Sequence, residues 1–306
     1  MRGLGILNGD CLNPSVTKPA SLQLGEFEIT PVLDGYFRLD GGSMFGVVPR
    51  VLWEKKITPD ERHRIRLASR CLLVRNGKHT VLIDSGQGNK QSEKFRERYA
   101  VDQPLTLLDN LQRAGVRPEE VTDVINCHLH FDHAGWNTVR EGDRLVPTFP
   151  NARYWSQRGE WESAQHYREQ RDQASFLGDD FLPLEQPRWE LIEGEGTVIP
   201  GIDLLPVPGH SLFTQGVLVR AAGKTGAFLG DLIPTRHHVP FNWIAAFDLY
   251  PVETWATKRR ILPRAARERW LCIFDHDPEL AAGRLVDDPK APGTLAVIPA
   301  EEFSAS

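Results

Sequence analysis

Apolar residues in this chain are grouped in short runs that end at turn residues, which is the pattern of a strand-rich fold. Residues 27–39 predict strands around a turn at Asp34-Gly35. Residues 67–74 and 79–84, separated by Asn76-Gly77, predict a β-hairpin. The first part of the chain is therefore expected to form antiparallel strands.

Helical spacing of apolar residues appears between the strands further along the chain. It predicts helices over residues 107–115, 154–171 and 252–261, and a solvated helix around residues 93–98. Further strands are predicted at residues 121–126, 189–192, 198–207, 216–220, 225–229 and 270–274, with an edge strand within 291–303. We expect one domain of the mixed α/β (α+β) class over residues 26–306, preceded by an irregular leader over residues 1–25.

Composition and charge exclude several classes of protein for this chain. With 41% hydrophobic and 25% charged residues, the 306-residue chain can bury a sizeable core. A net charge of −5 without a block of basic residues argues against nucleic acid or an anionic membrane as the main ligand. We expect no membrane span and no signal peptide, because long apolar runs are lacking. The four cysteines lie far apart, which favours reduced thiols in the cytoplasm.

The segment from Cys127 to His133 carries four metal-binding side chains within six residues, in the pattern H-x-H-x-D-H. It follows a predicted strand, and strand ends are a common place for chemistry in α/β proteins. Side chains alternate between the faces of an extended backbone, so His128 and His130 are expected to share one ion. Asp132 and His133, beyond the strand end, are expected to turn toward a second ion.

Three later polar residues also follow apolar strands: His210, Asp231 and His276. Each alone is commonly a loop residue, but together they complete two ligand sets. The first ion would be held by His128, His130 and His210, the second by Asp132, His133 and His276, and Asp231 would bridge both. Imidazole and carboxylate donors without thiolate suit Zn²⁺, Mn²⁺, Fe²⁺ or Co²⁺, with Zn²⁺ as the first expectation.

These segments resemble the metallo-β-lactamase superfamily over about residues 27–280. The resemblance rests on Asp84-Ser85-Gly86, residues 128–135, Pro208-Gly209-His210, Gly230-Asp231 and residues 274–277. It implies an αββα sandwich of two mixed sheets flanked by helices, with two metals at one edge. It also implies that Asp84 supports the ligand loop from behind the ligands.

Details within the superfamily favour its hydrolase branches. Asp231 stands where true β-lactamases usually carry Cys, and His130 stands where the redox diiron branch carries Glu. Residues 42–49 and 248–251 resemble the N-acyl-homoserine-lactone lactonases and their methyl-parathion-hydrolase-like relatives. One departure is that these lactonases carry Tyr three residues after the bridging Asp, where this chain has Pro234.

Several side chains are candidates for substrate contacts. Tyr250, His237 and His238 are candidates to replace the missing tyrosine, although the two histidines fit exposed loop positions equally well. Residues 41–49 form either a loop folded back on the core or an apolar wall over the site. In the second case Met44, Phe45, Trp53 and Trp136 would line a groove for an acyl chain.

The resemblance therefore implies a two-metal hydrolase that opens the lactone ring of N-acyl homoserine lactones by a hydroxide that bridges the metals. Asp132 would pass the proton. The same site would suit phosphotriesters or aryl esters, and less well the thioesters of a glyoxalase-II-like enzyme. A metal-binding protein without turnover is an alternative from another class. The expected partner is a small-molecule lactone or ester, and relatives suggest a homodimer.

Overall fold

The computed structural model describes residues 18–301. Most of the predicted leader, including Cys11, lies outside the described residues. Residues Leu22–Leu24, at the end of that leader, form a strand because they pair antiparallel with the strand that starts at Phe27. The irregular segment therefore ends earlier than the sequence suggested.

The first half of the chain forms one large sheet, a small ribbon and six helices. Its strands are β1 (Leu22–Leu24), β2 (Phe27–Asp40), β3 (Arg64–Arg75), β4 (Thr80–Ile83), β5 (Asp123–Ile125), β6 (Thr138–Glu141), β7 (Arg144–Pro147), β8 (Arg153–Gln157) and β9 (Trp189–Ile192). Its helices are α1 (Gly41–Phe45), α2 (Arg50–Trp53), α3 (Glu93–Arg98), α4 (Leu107–Arg113), α5 (Phe131–Ala134) and α6 (Arg158–Gln165). The large sheet has the order β1-β2-β3-β4-β5-β8-β9, and β6-β7 is a separate ribbon.

The second half forms a second sheet and one long helix. Its elements are β10 (Gly196–Ile199), β11 (Ile202–Pro206), β12 (Gln215–Ala221), β13 (Lys224–Phe228), α7 (Pro251–Arg267), β14 (Leu271–Ile273), β15 (Ala282–Asp287) and β16 (Leu295–Pro299). The seven strands pair in the order of the chain. Most pairs are antiparallel, whereas β13 and β14 are parallel because α7 connects them.

Three apolar layers hold the sheets and helices together. Between the sheets, Ile29, Val74 and Ile125 of the first sheet pack with Val217 and Phe228 of the second. On the outer face of the first sheet the core includes residues of α4 and α6, and on the outer face of the second it includes residues of α7. The order helix, sheet, sheet, helix confirms the αββα sandwich.

The predicted turn at Asp34-Gly35 is wrong, because β2 runs through it as one strand. The register with β3 shifts between Leu33 and Tyr36, so the two residues form a β-bulge. Gly35 has φ +107°, and a Cβ there would lie 2.8 Å from the carbonyl oxygen of Asp102. The bulge points the Asp34 carboxylate into the protein, where it is fully buried.

Other predictions of elements had mixed outcomes. The hairpin of β3 and β4 is confirmed, as are α4 and strands β12 and β13. The helix predicted over residues 154–171 is wrong at its start, because β8 pairs in parallel with both β5 and β9 before α6 begins. The strand predicted over residues 198–207 is instead part of the β10–β11 hairpin, which turns at Gly201. Residues 41–49 are not a loop throughout, since α1 occupies the first five.

Five loops at one edge of the sandwich, together with α5, carry Asp84 and the metal ligands predicted from the sequence. The loops follow β4, β5, β11, β13 and β14, and their segments are residues 84–88, 126–130, 207–211, 229–232 and 274–277. Four of these strands pair in parallel, β4 with β5 in the first sheet and β13 with β14 in the second, so the carboxyl ends of each pair lie at the same edge of its sheet. The fold therefore gathers residues that are far apart in sequence.

Candidate metal centre

The first ligand set predicted from the sequence comes together in the structure. The ring nitrogens Nε2 of His128 and Nδ1 of His130 lie 3.0 Å apart, and Nε2 of His210 lies 3.1 Å from the same Nδ1. All three rings are buried. The three ring nitrogens lie within 4.8 Å of one another, an arrangement that could hold one cation.

The second set forms beside the first. His133 and His276 face the same space, together with the carboxylates of Asp231 and Asp275. Asp132 also approaches it, with its oxygens 3.8 Å from His133 Nε2 and 3.6 Å from His276 Nε2. The sequence singled out all of these residues as ligands except Asp275.

Asp231 lies between the two clusters. Its Oδ2 is 3.1 Å from His210 Nε2 and 3.6 Å from the Nε2 atoms of His128 and His133. Its Oδ1 is 3.1 Å from His276 Nε2. One carboxylate thus faces the histidines of both clusters, as the proposed bridging role requires.

Carboxylates behind the histidines fix which ring nitrogen points inward. Asp84 accepts from His133 Nδ1 at 2.7 Å, and Asp248 accepts from His210 Nδ1 at 3.0 Å. The carbonyl oxygen of Ala68 accepts from His276 Nδ1 at 2.7 Å. A nitrogen that donates to such a partner leaves a lone pair on the other ring nitrogen, which is the arrangement of metal-binding histidines.

The ring nitrogens and carboxylate oxygens of the two clusters are placed to bind a cation and do not all form hydrogen bonds with one another. His133 Nε2 is buried without a hydrogen-bond partner among the described residues, and so is Oδ2 of Asp275. Lone pairs that face carboxylate oxygens repel unless a proton or a metal ion lies between them. The clusters therefore match the two divalent ions implied by the sequence.

The pKa values of the predicted ligands also indicate that the clusters favour bound positive charge. Burial opposes protonation of His210, but Asp231 and Asp248 outweigh it and raise the pKa of His210 to about 9. Burial is likewise outweighed at His276, whose pKa Asp275 and Asp231 raise to about 10. Burial would raise the pKa of Asp231, yet the neighbouring histidines hold it well below its usual range.

A cavity of about 380 Å³ opens onto the clusters. Among its lining residues are His130, Asp132, His210, Asp231 and His276. Its walls are largely apolar and include Phe37, Leu39, Met44, Leu67, Phe131 and Phe247. This is the size and character of a site for a small organic molecule.

Of the side chains predicted to contact substrate, Met44 lines this cavity and the others do not. Phe45 and Trp53 are buried in the core beneath α1, with their rings stacked at 5.6 Å. Trp136 is buried too, and its Nε1 donates to the Asp34 carboxylate at 2.8 Å. Residues 41–49 thus combine features of both interpretations: Phe45 packs in the core, whereas Met44 lines the cavity.

The predicted replacements for the missing tyrosine also lie elsewhere. His238 is buried against the ring of Phe45, and its two nitrogens lie 2.8 Å from Thr235 Oγ1 and from the carbonyl oxygen of Met44. His237 and Tyr250 are absent from the cavity lining. Among the described tyrosines, Tyr99 lines it, a residue that the sequence did not single out.

Two buried acids that the sequence did not single out organise the ligand loops. Glu160 of α6 accepts from the backbone N–H of Leu129 at 3.0 Å and from Ser211 Oγ at 2.7 Å, so it joins two ligand loops. Asp34 accepts from the backbone amides of Gln87 and Gly88 at 2.8 and 3.1 Å, beside Asp84. A single acidic residue in a helix or in an apolar strand forms no sequence motif, so the sequence did not predict a role for Glu160 or Asp34.

The sandwich with two histidine–carboxylate clusters at its edge defines a metal-dependent hydrolase. Residues 64–276, well over half of the chain, match the model of the metallo-beta-lactamase superfamily, and this chain belongs to that superfamily. The resemblance seen in the sequence is thereby confirmed.

Relatives of known structure or name agree with this assignment. An N-acyl homoserine lactonase from Bacillus cereus is 29% identical over 224 residues, which cover 70% of this chain and 82% of the relative. A probable metal-dependent hydrolase from Staphylococcus aureus has a TM-score of 0.82 and 28% identity over 92% of this chain and 99% of that one. AidC, a dizinc quorum-quenching lactonase solved with a product, has a TM-score of 0.75 at 21% identity over 94% and 98% of the two chains.

Together, the family and these relatives make the chain a metal-dependent hydrolase that acts on ester bonds. In the part of the chain that the structure describes, no helix combines the length and the apolar character needed to cross a membrane.

Proposed function

We propose that this protein is a two-zinc lactonase that opens the ring of N-acyl homoserine lactones. The observation that carries the proposal is the carboxylate of Asp231, which faces histidines of both clusters at the floor of a largely apolar cavity. The lactonase from Bacillus cereus supports the substrate class, and AidC, which shares the fold, supports zinc.

The ligand assignment follows the two clusters. His128, His130 and His210 would hold one ion, Asp132, His133 and His276 the other, and Asp231 both. When bound, two such ions supply an activated water and a Lewis acid for the carbonyl oxygen. Asp275 is an additional buried carboxylate in reach of the second cluster.

The protein's own residues perform the remaining tasks. The apolar wall that includes Phe37, Met44 and Phe247 would bind the acyl chain, since burial of apolar surface favours binding. Asp132 lines the cavity and is partly exposed, so its carboxylate can take up a proton and return it to the ring oxygen as the ester bond breaks. Asp84 and Asp248 keep the rings of His133 and His210 in one orientation.

The test is hydrolysis of N-hexanoyl homoserine lactone by protein whose zinc content has been measured. We expect two zinc ions per chain and ring opening that a chelator abolishes and zinc restores. Asp231→Asn should lose metal and activity together, because an amide cannot serve as a bridging anion. Asp287→Asn, a change at an exposed carboxylate at the end of β15 and outside the cavity lining, should keep both.

The substrate panel should also contain a paraoxon-type triester, an aryl ester and a thioester. If the metal-loaded protein hydrolyses one of these compounds fastest, that compound class replaces the lactone as the proposed substrate. Two bound ions without turnover of any compound would favour a binding role. A fully active, metal-loaded Asp231→Asn variant would refute the ligand assignment.

A further inference from the structure

The mouth of the active-site cavity carries an unusual concentration of arginines. Apart from the carboxylates at the metal clusters, the charged residues that line the cavity are Arg38, Asp40, Arg62, Arg64 and Arg98. They come from three separate places in the fold, namely the end of β2, the start of β3 and the end of α3. We call the four arginines the arginine rim.

One acid outside the cavity lining neutralises part of the rim. Asp60 accepts from Arg64 through Nε at 3.0 Å and forms an ion pair with its other guanidinium nitrogen at 2.9 Å. The nearest guanidinium nitrogen of Arg38 lies 4.0 Å from the same carboxylate. The other Asp60 oxygen accepts backbone amides of Arg62 and Arg64. Asp60 is therefore fully used by its neighbours.

The guanidinium groups of Arg62 and Arg98 have no carboxylate partner within the described residues. Arg98 contacts the hydroxyl of Tyr99, a neutral group, and the Asp40 carboxylate accepts the backbone N–H of Ser43 at the start of α1. Both arginines are exposed at the mouth of the cavity. Their positive charge is thus available to a ligand.

This local charge opposes the charge of the whole chain. The protein carries a net charge of −5, so an excess of unpaired positive charge at the cavity is not a consequence of composition. Charges of one sign around a concave site attract ligands of the other sign. Guanidinium groups bind carboxylate and phosphate in particular, because their N–H donors match pairs of oxygens.

We propose that the preferred substrate of this hydrolase is an ester or lactone whose acyl part carries an anionic oxygen group, which binds at Arg62 and Arg98 while the ester bond lies at the metal clusters. The inference rests on the proposed function and adds a charge requirement that a neutral acyl chain does not meet. A carboxylate and a phosphate are the two sources of such a group.

The experiment compares homoserine lactones with acyl chains of one length that end in a carboxylate, in its neutral isostere the carboxamide, or in a phosphate. For the zinc-loaded protein at low salt, we expect kcat/KM at least about tenfold higher for an anionic chain than for the carboxamide, and a smaller ratio at high salt. Comparison of the two anions identifies the group that the rim prefers.

Arg62→Gln and Arg98→Gln should each lower the ratio of anionic to neutral kcat/KM about three- to tenfold, mainly through KM. The matched control is Lys94→Gln, which removes an exposed positive charge from α3 outside the cavity and should leave the ratio unchanged. A rim that only tolerates anions would give equal rates for the carboxylate and the carboxamide in the unmodified protein. That result overturns the inference while leaving the lactonase proposal intact.

Calorimetry covers the case in which no lactone is hydrolysed and the proposed function fails. The same carboxylate and carboxamide compounds are then titrated into zinc-loaded protein. Tighter binding of the carboxylate that is lost in the Arg62→Gln/Arg98→Gln variant supports the anionic subsite. Equal affinity of the two compounds rejects it.

Discussion

The ring of His130 is held by Asp172, a residue 42 positions further along the chain, whose Oδ2 lies 3.0 Å from Nε2 of the ring. Asp172 belongs to a segment of short 3₁₀ turns between α6 and β9. Phe176 from the same segment packs its ring edge-on against His130 at 4.7 Å. The segment therefore orients the ring of a predicted metal ligand and covers one side of the first cluster.

This contact predicts the behaviour of Asp172→Ala. Loss of the carboxylate frees the ring of His130 and removes the charge that favours the inward lone pair. We expect about 10- to 100-fold weaker binding of one of the two zinc ions, measured by competition with a chromophoric chelator. Asp172→Asn keeps an acceptor oxygen and should lose less affinity.

Asp179→Ala provides the control for this change. Asp179 is an exposed carboxylate of the same segment that pairs with Arg140 at the surface. Its removal should leave the affinity for both ions unchanged. Equal zinc affinity of Asp172→Ala and the unmodified protein would show that the contact with His130 does not support metal binding.

Tyr99 is the tyrosine in a position to replace the one that lactonases carry where this chain has Pro234. Its ring packs against Phe95 at 4.3 Å and Phe131 at 5.5 Å, so Tyr99→Phe should preserve the packing. We expect kcat/KM for N-hexanoyl homoserine lactone to fall about three- to tenfold, the value of one neutral hydrogen bond, at unchanged zinc content. Tyr250→Phe, outside the cavity, should have no effect, and equal rates for both variants would exclude Tyr99 from the site.

The two histidine–carboxylate clusters could be predicted from sequence because metal binding requires particular side chains at strand ends. The cluster at residues 128–133 is local, and His210, Asp231 and His276 each follow a strand that its apolar residues reveal. The structure brings all of them to one edge. The sandwich could also be predicted, through the resemblance and the alternation of strands and helices.

The residues that line the cavity could not be predicted, because proximity to the cavity depends on packing between distant segments. Phe45 and Trp53 are apolar residues near the site in sequence, yet they face the core. Most of the cavity-mouth residues, namely Tyr99, Arg62, Arg64 and Arg98, come from segments whose pattern is that of polar surface, and Arg38 is one polar residue of the strand predicted over residues 27–39. Asp172 and Glu160 lack any motif, since orienting a ring requires one acceptor that many loops can supply.

Lys90 and Asp180 form a buried ion pair, 3.0 Å apart. The pair connects the loop after β4, which contains Lys90, to the segment of 3₁₀ turns, which contains Asp180. The Lys90 ammonium also donates to the carbonyl oxygens of Gly135 and Thr138. Lys90→Met leaves the Asp180 carboxyl group buried without its ion-pair partner. It should lower the free energy of unfolding by about 3–5 kcal/mol, because burial raises the pKa of Asp180 to about 7 even with Lys90 beside it, and loss of Lys90 removes the group that offsets this burial.

A double change separates the ion pair from the rest of the packing. Lys90→Met/Asp180→Leu removes both charges, so we expect it to be more stable than Lys90→Met alone, as measured by urea denaturation of the zinc-loaded proteins. If the two losses simply add, the residues do not act as a pair. We expect zinc affinity to fall together with stability. Lys90 binds the carbonyl oxygen of Gly135, and Gly135 directly follows α5, the helix that carries Asp132 and His133.

Lys258 of α7 is a fully buried lysine beneath the loop that carries Asp248. Its Nζ donates to the carbonyl oxygens of Pro240 and Trp243 at 3.2 and 2.7 Å, and it forms no ion pair with a described acid. Burial lowers the pKa of Lys258 to about 7, although the more distant Asp248 carboxylate opposes the shift. A neutral amine retains two N–H donors, which suffice for the two carbonyl groups.

Lys258 therefore makes stability depend on pH in a defined direction. Between about pH 7 and pH 10 the unfolded chain binds a proton at this lysine that the folded chain does not, so its contribution to the free energy of unfolding rises with pH in that window. We expect the stability of the unmodified protein minus that of Lys258→Met, from urea denaturation of zinc-loaded samples, to increase from pH 7 to pH 9.5. For the exposed Lys94→Met the difference should stay constant. A difference for Lys258→Met that is flat or falls over this range would mean that the buried amine remains charged.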